Sequence, residues 1–180
     1  MFELFNTITG IGVILLMVTV GALWALLLTG ITHHGFFRWV HRHGIFIAGI
    51  LALGAMVGSL IYSDFFKLPP CYFCWWQRIF MYPQVIILGV SAWYRDAKIW
   101  LSGFILSLIG ACFSLYHILL QSNIIGARNS PCAADAVSCT RIDVLTFNWI
   151  TIPIMCLTIF IGIMTFLWIS HQKNSSQEKI

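Results

Sequence analysis

The sequence predicts an all-α fold, an integral membrane helical bundle, and three observations lead there. The 180-residue chain is 59% apolar and 9% charged, against about 25% charged for an average soluble domain. It has too little polar surface to coat a globule in water. Its apolar residues run in continuous stretches of about 18 or more, long enough for a helix to cross the hydrocarbon of a bilayer. Aromatic residues gather where those stretches end, at Trp39, Trp75, Trp76, Trp93, Tyr94, Trp100, Trp149 and Trp168, as in an interfacial belt. The length suits one domain whose surroundings are membrane lipid. The net charge of +4 is small and spread between segments, and no basic run or basic-aromatic strip points to nucleic acid.

Five spans are expected. The first, about Thr9 to Leu28, belongs to an N-terminal segment, 1–31. Its opening residues, MFELFNTITG, carry no Lys or Arg, whereas a secretion signal opens with positive charge. It is therefore read as a helix of the protein. Residues 32–44, THHGFFRWVHRHG, are expected as a loop; their histidines lack a recognisable metal-ligand spacing. The second span runs from about Ile45 to Tyr62, and the third from near Trp75 to about Trp93, interrupted by Arg78 and Pro83. The fourth covers about Trp100 to Leu120 and the fifth about Thr151 to Ser170. Residues 45–170 thus hold four spans, with connections at 63–75 and 121–150, and a polar tail follows at 171–180.

Lys and Arg in short loops mark the cytoplasmic face. Arg38, Arg42, Arg95, Lys98, Lys173 and Lys179 fall on one side; Lys67, Arg78, Arg128 and Arg141 fall on the other. This places the N-terminus outside and the C-terminus inside. Cys71 and Cys74 precede the third span, and Cys132 and Cys139 lie in the long connection two spans later, so the two loops share a face. That face is then extracytoplasmic, where disulfides persist. Cys112 and Cys156 fall mid-helix, where a lone Cys is ordinarily a small packing residue.

The chemistry concentrates in LPPCYFCWWQR, residues 68–78. Pro69 and Pro70 suit a helix start, so a helix is expected to begin close to Cys71–Cys74. Its free N–H groups and partial positive charge favour a thiolate, and a Cys-x-x-Cys pair in that setting is primed for exchange. Arg78 follows Cys74 by four residues and shares its helix face. It would stabilise a Cys74 thiolate or an anionic group on a bound cofactor; plain snorkelling to the interface is the bland alternative. His117, about one turn from the outer end of the fourth span, lies at similar depth and could face the same pocket. Ionisable groups inside a membrane are functional candidates, although a buried His is often a satisfied core residue. Cys132 and Cys139 read either as a structural staple or as a redox pair. Two outer pairs can form a relay, in which electrons enter at Cys132–Cys139 from a soluble thiol protein and pass to Cys71–Cys74 by thiol–disulfide exchange. No haem or iron–sulfur motif offers an exit. A quinone, a lipid-soluble two-electron acceptor, fits a pocket lined by Arg78, His117 and Trp residues.

At these residues the chain resembles the disulfide bond formation protein B (DsbB) family, particularly its BdbC-like branch. The resemblance rests on CYFCWWQRIFMYPQVIILG, on Tyr116–His117, on the later pair Cys132 and Cys139, and on Pro153 opening the last helix, across about 45–170. It implies a four-helix core, here with one extra N-terminal transmembrane helix, in a bacterial cytoplasmic membrane. It implies reoxidation of an extracytoplasmic thioredoxin-like thiol oxidase of the DsbA or BdbD type, with electrons passing to ubiquinone or menaquinone. Carried over, Cys74 faces the quinone with Cys71 as its disulfide partner, and Arg78 stabilises the charge. His117 lies near the ring, Cys132 forms the mixed disulfide with the oxidase, and Cys139 resolves it. Six residues separate Cys132 from Cys139, which argues against a large swing of that arm and leaves a transient disulfide between the loops in question.

Three rival readings remain open at this level. A quinone reductase of the vitamin K epoxide reductase type shares the logic, but its loop cysteines usually precede its Cys-x-x-Cys. A non-enzymatic membrane protein could hold zinc on four Cys or use them as inert staples, though Arg78 would repel a cation. A transporter or scaffold would need more of a polar path than this sequence offers.

Overall fold

The computed structural model describes residues 1–29, 35–94, 99–125, 132 and 137–177, with the backbone alone at 35–38 and 173–177. It is an all-α bundle. Helix α1 spans Phe2–Leu28, α2 Gly35–Leu60, α3 Tyr72–Tyr94, α4 Trp100–Gln121 and α5 Ile152–Gln177. A π-helical turn, Ile61–Phe65, continues α2. Neighbours pack in the order α3 between α2 and α4, and α5 against α1, α2 and α4. The core between them is aliphatic and aromatic, with Leu23, Leu88, Phe160, Ile163, Leu167 and Ile169 fully buried.

Among the described residues, four helical stretches are long and apolar enough to cross a membrane: Phe2–Leu28, Trp39–Phe65, Trp100–Gln121 and Ile152–Gln172. Helix α3 is not one of them, because Gln77, Arg78 and Gln84 dilute it. Its 23 residues still reach about 34 Å at 1.5 Å each, which matches the roughly 30 Å of hydrocarbon. Gln77 and Gln84 are buried, and Ser107 of α4 donates to Gln84 Oε1 at 2.9 Å. The polar groups of α3 thus face protein, while the bundle exposes Leu4, Ile8, Leu15, Val18, Ile86 and Trp93. A surface that apolar belongs in lipid, and the chain is a multi-pass membrane protein.

Two boundaries differ from expectation. Residues 35–44, expected as part of a loop, are the first turns of α2. Tertiary packing holds them there: Val40 is buried, the His41 carbonyl accepts from Ser170 at 3.3 Å, and Gly44 abuts the Phe166 carbonyl so closely that a Cβ would sit 2.6 Å from it. The same contact extends α5 past Ser170 into the expected tail, where His171 stacks on Trp100 at 3.9 Å. Of the charges that suggested orientation, Arg95, Lys98, Arg128 and Lys179 and the side chains of Arg38 and Lys173 lie outside the described residues.

Helices α4 and α5 meet through Gly110, where a Cβ would run into the buried Phe160 ring. Overpacking a rigid core contact costs about 1–3 kcal/mol. Gly110→Ala should therefore lower the thermal midpoint in detergent, whereas Gly89→Ala, whose Cβ meets nothing within 4 Å, should not. Equal midpoints for the two variants would contradict this packing.

Candidate functional site

Helix α3 starts where its sequence dictates. Pro69 and Pro70 precede it, and Cys71 is its N-cap: the Cys71 carbonyl accepts from Trp75 N–H at 3.2 Å. Its sulfur occupies the position of a capping oxygen and accepts from Cys74 N–H at 3.4 Å. A side-chain acceptor at this position satisfies an orphan amide, and the helix dipole there favours negative charge. The Cys71 and Cys74 sulfurs are 2.6 Å apart, so bonding needs little further approach.

His117, buried near the end of α4, sits under this pair. Gln77 Nε2 donates to His117 Nδ1 at 3.4 Å. His117 Nε2 lies 3.1 Å from the Cys139 carbonyl and 3.7 Å from the Cys71 sulfur. A carbonyl only accepts, so the proton belongs on Nε2, and Nδ1 accepts. His117 thereby ties α3, α4 and the long connection together. That connection carries the Cys132–Cys139 disulfide, Cα–Cα 5.9 Å. Both its cysteines are buried in one cluster with Cys71, Phe73 and Leu120. The sulfurs of Cys71 and Cys139 and a His117 nitrogen all lie within 4.8 Å of one another. The short spacing of the second pair had argued against a large swing of its arm and left a transient disulfide between the loops in question. The geometry removes that argument, because no swing is needed. Those three groups could ligate a cation only after the disulfide is reduced, since Cys139 is bonded to Cys132.

Arg78 points elsewhere. Its Nε donates to Ser59 Oγ at 2.9 Å and its Nη2 to the Ser59 carbonyl at 3.1 Å. The guanidinium lies 5.3 Å from the Trp75 ring centre, a cation–π distance. Arg78, Cys74, Gln77 and His117 all line one cavity of about 410 Å³ that runs inward from the cysteines between α1, α2, α3 and α5. Arg78 and His117 share the expected pocket, with His117 on the sulfur side and Arg78 toward α2, but among the described residues no Trp lines it. Most of the remaining lining is apolar. The Tyr82 hydroxyl, one turn beyond Arg78 on α3, is buried on this cavity's wall without a hydrogen-bond partner among the described residues.

Three features escaped the sequence reading. Gln77 was legible as a polar residue three positions after Cys74 in an apolar helix. Cys156, expected as packing, lines the cavity; α5 is apolar all round, so nothing in its pattern sets its rotation. Cys112, also expected as packing, is exposed on the outer face of α4.

The reduced pair ionises unequally. Hydrogen bonding from the Cys74 thiol and then from His117, opposed by burial, holds the Cys71 thiol down at about 5. A lowered pKa keeps the thiolate present at lower pH. Alkylation of Cys71 in the reduced protein should stay near its plateau from about pH 8 to pH 6 and fall only as pH approaches 5. His117→Ala should move that midpoint upward. A rate still climbing steeply above pH 8, as for an ordinary thiol, would contradict the arrangement.

Residues 41–170 match the family model described as disulfide bond formation protein DsbB. The chain is similar to a probable disulfide formation protein C 2 of Bacillus cereus, 34% identical over 78% of this chain and 99% of that one. It is also similar to the disulfide bond formation protein C of Bacillus subtilis, 37% identical over 73% and 94%. No solved structure matches it significantly. The order of the cysteine pairs had already counted against the vitamin K epoxide reductase type, and the match covers both pairs together with Arg78 and His117. The chain belongs to the DsbB family, and it is a membrane thiol oxidoreductase.

Proposed function

We propose that this protein reoxidises an extracytoplasmic thioredoxin-like thiol oxidase of the DsbA or BdbD type and delivers the electrons to ubiquinone or menaquinone. It works in the bacterial cytoplasmic membrane with its N-terminus outside. The observation that carries the proposal is a continuous arrangement: the Cys139 sulfur lies within 4.8 Å of the Cys71 sulfur, and Cys71 and Cys74 line one mostly apolar cavity with the Arg78 guanidinium.

The exchange steps balance by thiol chemistry. A thiolate of the reduced oxidase attacks Cys132, breaking the Cys132–Cys139 bond and freeing Cys139. The second oxidase thiol displaces Cys132, and the oxidase leaves with a disulfide. Cys139, beside Cys71, then attacks the Cys71–Cys74 disulfide and releases Cys74 as a thiolate. Cys132 resolves the inter-loop bond, restoring Cys132–Cys139 and leaving Cys71 and Cys74 reduced. Two electrons and two protons have moved inward. His117 Nε2–H lies within reach of the Cys71 sulfur and favours its anion at the exchange step.

The cavity suits a quinone by its donors. Its walls are mostly apolar, Arg78 offers a fixed cation toward a carbonyl oxygen, and the Tyr82 hydroxyl is unspent. A bound quinone supplies the two-electron, two-proton sink. Arg78 would hold that acceptor and balance negative charge in the cavity that Cys74 also lines, while the apolar walls would exclude water.

Purified protein mixed with a reduced thioredoxin-like oxidase and a quinone should yield quinol. Cys74→Ser should abolish quinol formation; full activity in that variant would remove the assignment. Cys132→Ser should block oxidation of the oxidase while small dithiols still reduce Cys71–Cys74. A hydrogen bond to a charged group contributes about 1.5–3 kcal/mol, so Arg78→Ala should raise the apparent KM for quinone roughly 10- to 100-fold. An unchanged KM would leave Arg78 as a bridge to Ser59 and nothing more.

A further inference from the structure

Helix α1 precedes the family match at 41–170, yet its inner face is built into the redox end of the bundle. Asn6 is buried there, and its Oδ1 accepts from the Tyr62 hydroxyl at 3.2 Å and from the Thr146 hydroxyl at 2.6 Å. The Thr9 and Tyr62 hydroxyls lie 2.9 Å apart. A buried polar group satisfied from two other elements specifies one arrangement. Farther along, Trp24 Nε1 donates to Thr165 of α5 at 3.1 Å, and Leu16 lies against Gly162. These ties fix both the height and the rotation of α1.

That rotation turns Thr9, Gly12, Val13 and Leu16 into the cavity that also holds Cys74 and Arg78. A Cβ on Gly12 would meet no atom within 4 Å, and the same is true of Gly54 and Gly58 on the α2 wall. The cavity therefore extends to the backbone on two of its sides and is otherwise apolar in this part. Taking α1 away would open this wall directly to lipid.

We propose that α1 is a working part of the acceptor site. It forms one wall of the cavity, and Gly12, with Gly54 and Gly58, shapes the apolar slot that takes the isoprenoid tail of a quinone whose ring sits toward Arg78. The inference rests on the quinone reading above and assigns the tail rather than the ring. Continuity of the slot with Cys74 and Arg78 favours a quinone tail over the acyl chain of an ordinary lipid, which has no electron-accepting head to place there.

The test reads binding, not turnover. The full-length protein is oxidised, so no turnover occurs without a thiol donor, and quenching of its tryptophan fluorescence is titrated with an isoprenoid quinone and with a tailless benzoquinone. Gly12→Phe, and to a lesser degree Gly12→Leu, should weaken the tailed quinone at least tenfold and the tailless ring less than threefold. Gly21→Phe is the control: its Cβ also meets nothing within 4 Å, and it lies outside the cavity lining. It should change neither. Wild-type affinity for the tailed quinone in both Gly12 variants would overturn the assignment of α1. So would an equal loss for both ligands. If the wild-type protein binds neither quinone, or phospholipid alone abolishes the quenching, the quinone reading itself fails and takes this inference with it.

Discussion

His117 is the joint on which the redox end of the molecule depends. One imidazole, buried at the end of α4, accepts from Gln77 of α3 and donates to the backbone of Cys139, with the Cys71 sulfur beside it. A buried polar ring left without partners would be costly, and here both nitrogens are used. Because its partners come from α3 with its N-cap and from the long connection, satisfying the ring also brings the two cysteine pairs together. Proximity of the pairs is thus a consequence of hydrogen-bond accounting in an apolar interior. The Pro69–Pro70 break supplies the other half by ending the incoming strand of chain at the N-cap of α3, where the Cys71 sulfur meets free amides.

Around its apolar core the bundle turns the polar groups of its spans inward, and its outer surface is apolar. Gln84 answers Ser107, Asn6 answers Tyr62 and Thr146, and Trp24 answers Thr165. Arg78 is the costly case. Among the described residues the only carboxylate on its cavity's lining is Asp143, which pairs with Arg141. Arg78 instead meets a hydroxyl, a backbone carbonyl and an indole face. A cation held by neutral partners keeps its charge available to an incoming anion or polarised carbonyl, whereas a carboxylate partner would have cancelled it.

Much of this was legible in the sequence. Apolar run length gave the helices, and Cys-x-x-Cys behind two prolines gave the start of α3 and the reactive pair. What stayed hidden depended on tertiary contact. Residues 35–44 carry Arg and His and read as loop, but Val40 and Gly44 find α5 and remain helical. The rotation of α5 is not encoded in a helix that is apolar all round, so Cys156 could not be placed on the cavity. The sequence placed both pairs on one face as a relay but did not show how near they come; His117 at the end of α4 bonds the Cys139 carbonyl and sets that sulfur beside Cys71. Thr146, which donates to Asn6, shows the same limit, since no local pattern links positions 140 residues apart.

Direct exchange between the pairs is the claim on which the account stands, and a trap tests it. In a variant carrying Cys74→Ser and Cys132→Ser, Cys71 and Cys139 lose their own partners while their sulfurs remain within 4.8 Å. Mild oxidation followed by non-reducing peptide mapping should recover them joined to each other in nearly every molecule. Recovery of Cys71 and Cys139 as separate free thiols after the same treatment would contradict the account.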